Sequence, residues 1–456
     1  MTSFADLQFL FRFFPVVFLL YYLVPVRWRS AVLVVASLVF YACGDLRFLP
    51  LLIALMLLNY GISGRVAAHS RIGLVMAVTV DVMTLALFKG MAALGGSALL
   101  PMGLSFYSFR MIAYQADLYT GRVMKRPSFL QTCLYFCLFT QLISGPIARI
   151  RDWQDLYAFS DEEEELPEPE RLMACLRRLE RGLTWFIPGL AMKVLLADHL
   201  AMCWNEIGTI GYESISTPLA WLGTVVYSLD LYFDFWGYSL MAAGMSVALG
   251  FPFIRNFEHP YAAGGVSDFY RRWHMTLGTW FRDMVYIPLG GSRSGSFNTV
   301  VNLLIVWLLT ALWHGITPNF LIWGMALYLM IVSEKFIIGR WPRVKAVIGR
   351  IHVLLCIPLT WIVFAVTDTG ELAAYFRRLF AVDQGIAVNP GDITRVGAPY
   401  IWFVAVGVLL LIPAIARLYD RYKDRVVVKL MDLALFWVSV YSVTMQSGNP
   451  FMYFSF

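Results

Sequence analysis

From Ser296 to Ser333, thirty-eight consecutive residues carry no charged side chain. The hydrocarbon core of a bilayer takes about 20 residues of helix, so this one run is long enough to cross twice. Gly315 and Pro318 supply a break between two crossings, because proline removes a helical donor and its ring clashes with the preceding turn. Runs of similar character recur along the whole chain. Candidate spans fall near 8–25, 30–43, 48–63, 72–88, 98–116, 129–147, 183–198, 217–250, 297–313, 316–333, 351–367, 399–416 and 430–447. Of the 456 residues 59% are hydrophobic and only 14% charged, where soluble domains carry about 25%. A soluble enzyme with one or two anchors is excluded, as are a disordered chain and a disulfide-stapled secreted domain. The expected fold is all-α and polytopic, about 11–13 spans with re-entrant or interfacial helices around a central funnel. The whole chain, 1–456, reads as one integral-membrane domain surrounded by membrane lipids.

Several spans are short, and 217–250 is too long for one straight crossing, so it is expected to bend. Irregular backbone at membrane depth is tolerated only where it lines water or is buried in protein, which points to a cavity. The net charge of +6 gathers at membrane edges, and no basic field suits nucleic acid. Arg27 and Arg29, Arg65 and Arg71, then Arg122, Lys125 and Arg126 follow alternate spans. Cytoplasmic loops carry the Lys/Arg excess, so the N-terminus is expected outside the cell membrane. Arg417, Arg421, Lys423, Arg425 and Lys429 mark another inside loop and return the C-terminus outside. No signal-peptide cleavage pattern follows the first hydrophobic segment, which is expected to stay. The longest polar interruption, 148–182, holds the acidic run 161–165 and reads as a solvated connector. A second polar stretch, 368–397, reads as a surface loop.

Polar groups inside apolar spans are costly and are functional candidates by default. Asp230 and Asp234 lie four apart, on one helical face that Tyr227 and Tyr238 extend. Two carboxylates there need donors, and they serve either as a hydrogen-bonded brace or in the chemistry itself. Ser267 is a good N-cap for an amphipathic helix within the 260–292 region. Phe269, Trp273, Trp280 and Met284 form its apolar stripe, while Arg271 and Arg282 lie on another face and Arg272 and His274 stand beside them. Such a helix lies at the interface or lines a wet cavity. His314, in Leu312-Trp313-His314-Gly315, is the one group of useful pKa in the uncharged run. Burial lowers a histidine's pKa and leaves a lone pair that a general base needs. The bland reading, a satisfied core histidine, stands beside it.

Metal binding is disfavoured, because the six histidines show no HExxH or i,i+4 spacing. The six cysteines form no CxxC pair and read as packing. The aromatic tail 448–456, with Tyr453, reads as an interfacial belt or as a segment re-entering the cavity.

In their order along the chain, Gly103-Leu-Ser-Phe-Tyr-Ser-Phe109, Gln141-Leu-Ile-Ser-Gly-Pro-Ile147, Tyr232-Phe-Asp-Phe-Trp-Gly-Tyr238, Asn256-Phe257, the run Phe269–Gly291 and Leu312-Trp-His-Gly315 form one pattern. It resembles the membrane-bound O-acyltransferase family over nearly the whole length, in its bacterial branch of alginate and peptidoglycan O-acetyltransferases and the teichoic-acid D-alanyl transferase. The resemblance implies a funnel with no bound cofactor. An acyl group enters it from the cytoplasm as acetyl-CoA or a carrier-protein thioester and leaves outside for an envelope polysaccharide. It implies partners too: an extracytoplasmic esterase-like acyltransferase and a cytoplasmic carrier protein. The hallmark histidine falls on His314 and the second on His274. The tail pattern implies that Tyr453 carries the acyl transiently. Under this reading His314 is the base, while His274, Arg271 or Arg272 stabilise the oxyanion and Asp234 orients one of them. Asp230, Tyr238, Trp273, Trp313 and Asn256 line the cavity. Ile287-Pro-Leu-Gly-Gly291 favours acetyl, and Gly237-Tyr-Ser-Leu240 favours D-alanyl. The rival is a transporter or flippase of a lipid-linked or acyl intermediate, with a non-catalytic scaffold as a third reading.

Overall fold

The computed structural model describes residues 3–123, 125–143, 145–153, 167–293, 295–381, 388 and 391–445. All regular structure among them is helical. Among the described residues, eight helical stretches are long and apolar enough to cross a membrane: Val26–Ala67, Arg71–Gly95, Pro169–Ile210, Ser296–His314, Pro318–Arg340, Pro342–Ala365, Ile393–Leu410 and Val426–Met445. The shorter apolar helix Phe9–Leu23 accompanies them. Other apolar segments fold into pieces too short to span, such as Phe129–Cys137 and Phe139–Leu142 on either side of Leu138. The acidic run 161–165 and the tail from 446 with Tyr453 lie outside the described residues.

Two compact units are present. One comprises Met1–Leu190, Gly237–Arg255 and the stretch from Met431; the other comprises Ala191–Trp236 and Asn256–Leu430. The long apolar segment expected to bend is one uninterrupted helix, α1 (Thr217–Ala248), about 48 Å at 1.5 Å per residue. In the first unit, its C-terminal part meets the helix Glu168–Ala191 along a seam of glycines. A Cβ on Gly189 would stand 2.6 Å from Gly237 O, and one on Gly244 would stand 2.6 Å from Gly182 O. Backbones this close leave no room for any side chain, the usual use of small residues between membrane helices.

The second unit holds most of the residues of interest. Its short helices α2 (Val266–Arg272) and α3 (Met275–Phe281) precede a hairpin of α4 (Ser296–His314) and α5 (Pro318–Val332), against which α6 (Ile357–Ala365) packs. The single amphipathic helix expected over 267–284 is therefore two seven-residue helices. Its apolar stripe is buried: Phe269, Trp273 and Trp280 all lose their surface to the core. The polar stretch 368–397 also departs from a plain surface loop. Leu372, Tyr375 and Leu379 recur at helical spacing and bury one face of a helix Thr369–Leu379. Buried Asp392 accepts from Ser216 N at 2.6 Å and Ser216 Oγ at 2.5 Å.

Candidate functional site

His314 is the last residue of α4, and the backbone leaves the helix at extended Gly315 before Pro318 starts α5. The turn is held from below. Asn319 Nδ2 donates to Val363 O (3.2 Å) and Phe364 O (3.1 Å), and Asn319 Oδ1 accepts from Thr317 Oγ1 (2.6 Å). Those two carbonyls sit in the last turn of α6, where helical acceptors have no partner of their own. The imidazole is 7% exposed and enclosed by rings: Trp313 at 4.4 Å, Phe364 at 4.9 Å, Trp323 at 5.0 Å and Phe320 at 6.1 Å between centroids. Trp323 and Phe364 stand edge-on to it, at 85° and 84°.

His274 sits at the break between α2 and α3, with φ 44° and ψ 54°. A non-glycine side chain there is uncommon and strained by roughly 1–2 kcal/mol. The neighbouring segment imposes the break: Met275 N donates to Asn256 O and Glu258 N donates to Arg272 O, both at 2.9 Å. Asn256 also fixes the ring. Its Oδ1 accepts from Thr276 Oγ1 (2.9 Å) and Thr276 N (3.3 Å), so this atom is the amide oxygen. His274 Nδ1 lies 3.1 Å from the same oxygen and therefore carries the proton. Burial pushes the His274 pKa down to about 3, so the ring is neutral and Nε2 holds a lone pair.

The two histidines terminate one aromatic core. From His314 it runs through Trp323 or Phe364 to Trp361 and on to Trp273, 4.9 Å away. Trp273 packs on Phe257 (5.1 Å), Phe257 on Phe235 (5.0 Å), and Phe235 stands edge-on to His274 at 4.7 Å. His314, Trp313, Trp273, His274 and Asn256 are thus gathered in one assembly.

Other expectations are corrected. The described partner of Asp234 is neither a histidine nor an arginine: its Oδ1 forms an ion pair with buried Lys193 Nζ at 3.0 Å, and Lys193 is shared with Asp198. Desolvated carboxylates need a cation, and Lys193 supplies it here. Asp230, one turn away, is buried too. Arg271 and Arg272 are not buried oxyanion donors. Both pair with Asp268, at 3.7 and 3.1 Å, and the Arg271 side chain is 74% exposed. His274, neutral with its proton on Nδ1 facing Asn256, offers an acceptor at Nε2 and no second donor. Tyr238 is buried in the other unit, stacked on Phe4 at 4.5 Å.

Two residues escaped sequence reasoning. Lys193 is a lone cation in an apolar run, the same signal that marked Asp230 and Asp234, and it lies in a π-helical segment, Met192–Ala197. Glu334 caps α2 in place of the expected Ser267. From the π-turn that extends α5, it accepts from Val266 N (2.8 Å) and Ser267 N (3.4 Å), with His352 Nδ1 at 2.8 Å. Among the described residues no three His, Cys, Asp or Glu side chains converge as a metal set would.

A profile described as MBOAT, membrane-bound O-acyltransferase family, matches residues 119–368. A probable alginate O-acetylase of Pseudomonas putida is 30% identical, over 99% of this chain and 100% of its own length. A peptidoglycan O-acetyltransferase of Helicobacter pylori is 30% identical over 70% of this chain and 67% of its own. A teichoic acid D-alanyltransferase of Bacillus subtilis is 27% identical over 55% of this chain and 66% of its own.

Proposed function

We propose a reaction that proceeds from one premise: this chain belongs to the membrane-bound O-acyltransferase family. It is a multi-pass membrane enzyme that transfers an acyl group to a hydroxyl. In our reading the group is acetyl, the acceptor a hydroxyl on the way to an envelope or exported polysaccharide, and the donor a cytoplasmic thioester. Acetyl is favoured because the relative covering 99% of the chain is a probable alginate O-acetylase, whereas the D-alanyl relative covers 55%.

The observation that carries this reading is the placement of His314. It ends a membrane-length helix, 7% exposed, inside a wall of aromatic rings, with a second imidazole, that of His274, on the same aromatic core. His314 takes the proton of the attacking hydroxyl as its oxygen bonds to the thioester carbonyl carbon. The carbon–sulfur bond then breaks, and the thiolate leaves with the proton that His314 returns. The rings exclude water, which would hydrolyse the thioester and screen the developing charge. His274, fixed by Asn256, is a second proton acceptor for the same transfer. Tyr453 is the acyl carrier implied by the tail pattern. An esterase-like partner outside receives the acyl, and either coenzyme A or a carrier protein delivers it.

Inner-membrane vesicles supplied with radiolabelled acetyl-CoA test the reading. Label should appear on polysaccharide, and His314→Ala should abolish it without loss of folded protein. Full transfer by His314→Ala refutes the base. Transport of an intact intermediate with no covalent acyl product would favour the flippase. Tyr453→Phe, which loses only a hydroxyl, should block transfer; unchanged acylation removes the tail from the mechanism.

A further inference from the structure

Thioester attack places negative charge on the carbonyl oxygen, and a preorganised donor must meet it. The donors expected from the sequence are elsewhere: Arg271 and Arg272 pair with Asp268, and neutral His274 directs its one N–H at Asn256 Oδ1. Yet Trp323 lies beside His314, its ring 5.0 Å away and perpendicular, and 2% exposed. Its Nε1–H is buried and has no hydrogen-bond partner among the described residues. Trp361, which stacks on Trp323 at 6.1 Å, does not share this condition: its Nε1 donates to Tyr261 Oη at 3.2 Å. A buried donor left unmet destabilises a protein by about 1–3 kcal/mol, and the cost is retained where a reactant supplies the acceptor.

We infer that Trp323 is a catalytic residue whose indole N–H donates to the thioester carbonyl oxygen as it becomes an oxyanion. The inference rests on the reading of His314 as the site of acyl transfer. No proton leaves the indole: the bond strengthens while the hydroxyl oxygen bonds to carbon, and relaxes when the carbon–sulfur bond breaks. Trp323 also sits on α5, five residues after the Pro318 that begins it. The Asn319 anchor that sets the His314 turn therefore sets the indole as well, so base and donor share one frame.

The test is Trp323→Phe in the full-length chain, in vesicles fed acetyl-CoA, with kcat, KM and thermal unfolding measured together. Removing one such donor typically lowers kcat by about 100-fold or more. We expect that loss with KM changed less than about threefold and unfolding temperature unchanged or raised, since an unmet donor has been removed. A kcat within threefold of wild type overturns the proposal, as does a kcat loss that merely tracks a fall in stability. If the phenylalanine leaves a packing defect, benzothienylalanine at 323 keeps the shape and replaces only the N–H with sulfur. It should show the same kcat loss, and full activity there overturns the proposal. His314→Ala run in parallel separates the two failures: inactive His314→Ala with fully active Trp323→Phe sinks this inference alone, whereas active His314→Ala sinks the site.

Discussion

Replacing Asn256 with alanine removes a single oxygen that accepts from His274 Nδ1, Thr276 Oγ1 and Thr276 N. The Thr276 hydroxyl can rotate to another acceptor, and its amide is only partly buried. The imidazole N–H is the donor left stranded, at about 1–3 kcal/mol. Part of that is recovered if the ring shifts its proton to Nε2, but Nε2 is then no longer a proton acceptor. Either way the working state of His274 is disfavoured by about 1.4–2.7 kcal/mol, equivalent to a 10- to 100-fold loss in kcat. Asn256→Asp makes the contrast: a carboxylate still accepts from Nδ1 and holds the tautomer. Its charge favours the protonated ring, so the His274 pKa rises from about 3 and the acid limb of the pH–rate profile moves to higher pH. Vesicle acetyl transfer across a pH series, on variants matched for folded protein, reads both effects. Wild-type kcat for Asn256→Ala would refute the assignment of His274 to the transfer. So would an Asn256→Asp enzyme as slow as the alanine variant.

Three further outcomes follow from the geometry. His274→Gly should be more stable than His274→Ala by roughly 1 kcal/mol, because φ 44° suits glycine, while both are inactive; equal unfolding temperatures would argue against strain at this turn. Lys193→Met strands Asp198 and Asp234 in a buried site and should lower stability by about 3–5 kcal/mol, with Asp198→Asn/Asp234→Asn restoring much of it; detergent-phase thermal unfolding measures both. Gly189→Ala pushes a Cβ to 2.6 Å from Gly237 O and should force the helices apart, lowering the yield of folded protein; a normal yield would contradict the seam.

The sequence made the His314 turn legible because its causes are local: an uncharged run, then Gly315 and Pro318. The His274 break has no such cause. No glycine or proline marks it, and two backbone hydrogen bonds from Asn256 and Glu258 impose it across the fold, so helical periodicity reads straight through. The paired aspartates are visible as costly groups, but their cation, Lys193, lies 41 residues before Asp234 in a separate apolar run, and nothing local links the two. Glu334 lies one residue past the uncharged run, where a charge reads as the end of a span. The arginines after Asp268 looked like site donors because adjacency in sequence hides the i,i+3 and i,i+4 pairing that occupies them.

The Glu334 cap has a mechanical consequence. Rings near the start of α5 enclose His314, while the carboxylate on the turn extending its far end grips the helix that leads to His274. Both imidazoles thus hang from one rigid beam. Bilayers that thicken, thin or change lateral pressure load the lipid-facing helices first. The spacing of the two turns is thereby expected to hold against that load, so transfer by the enzyme is predicted to vary little between vesicles of thin and thick bilayers.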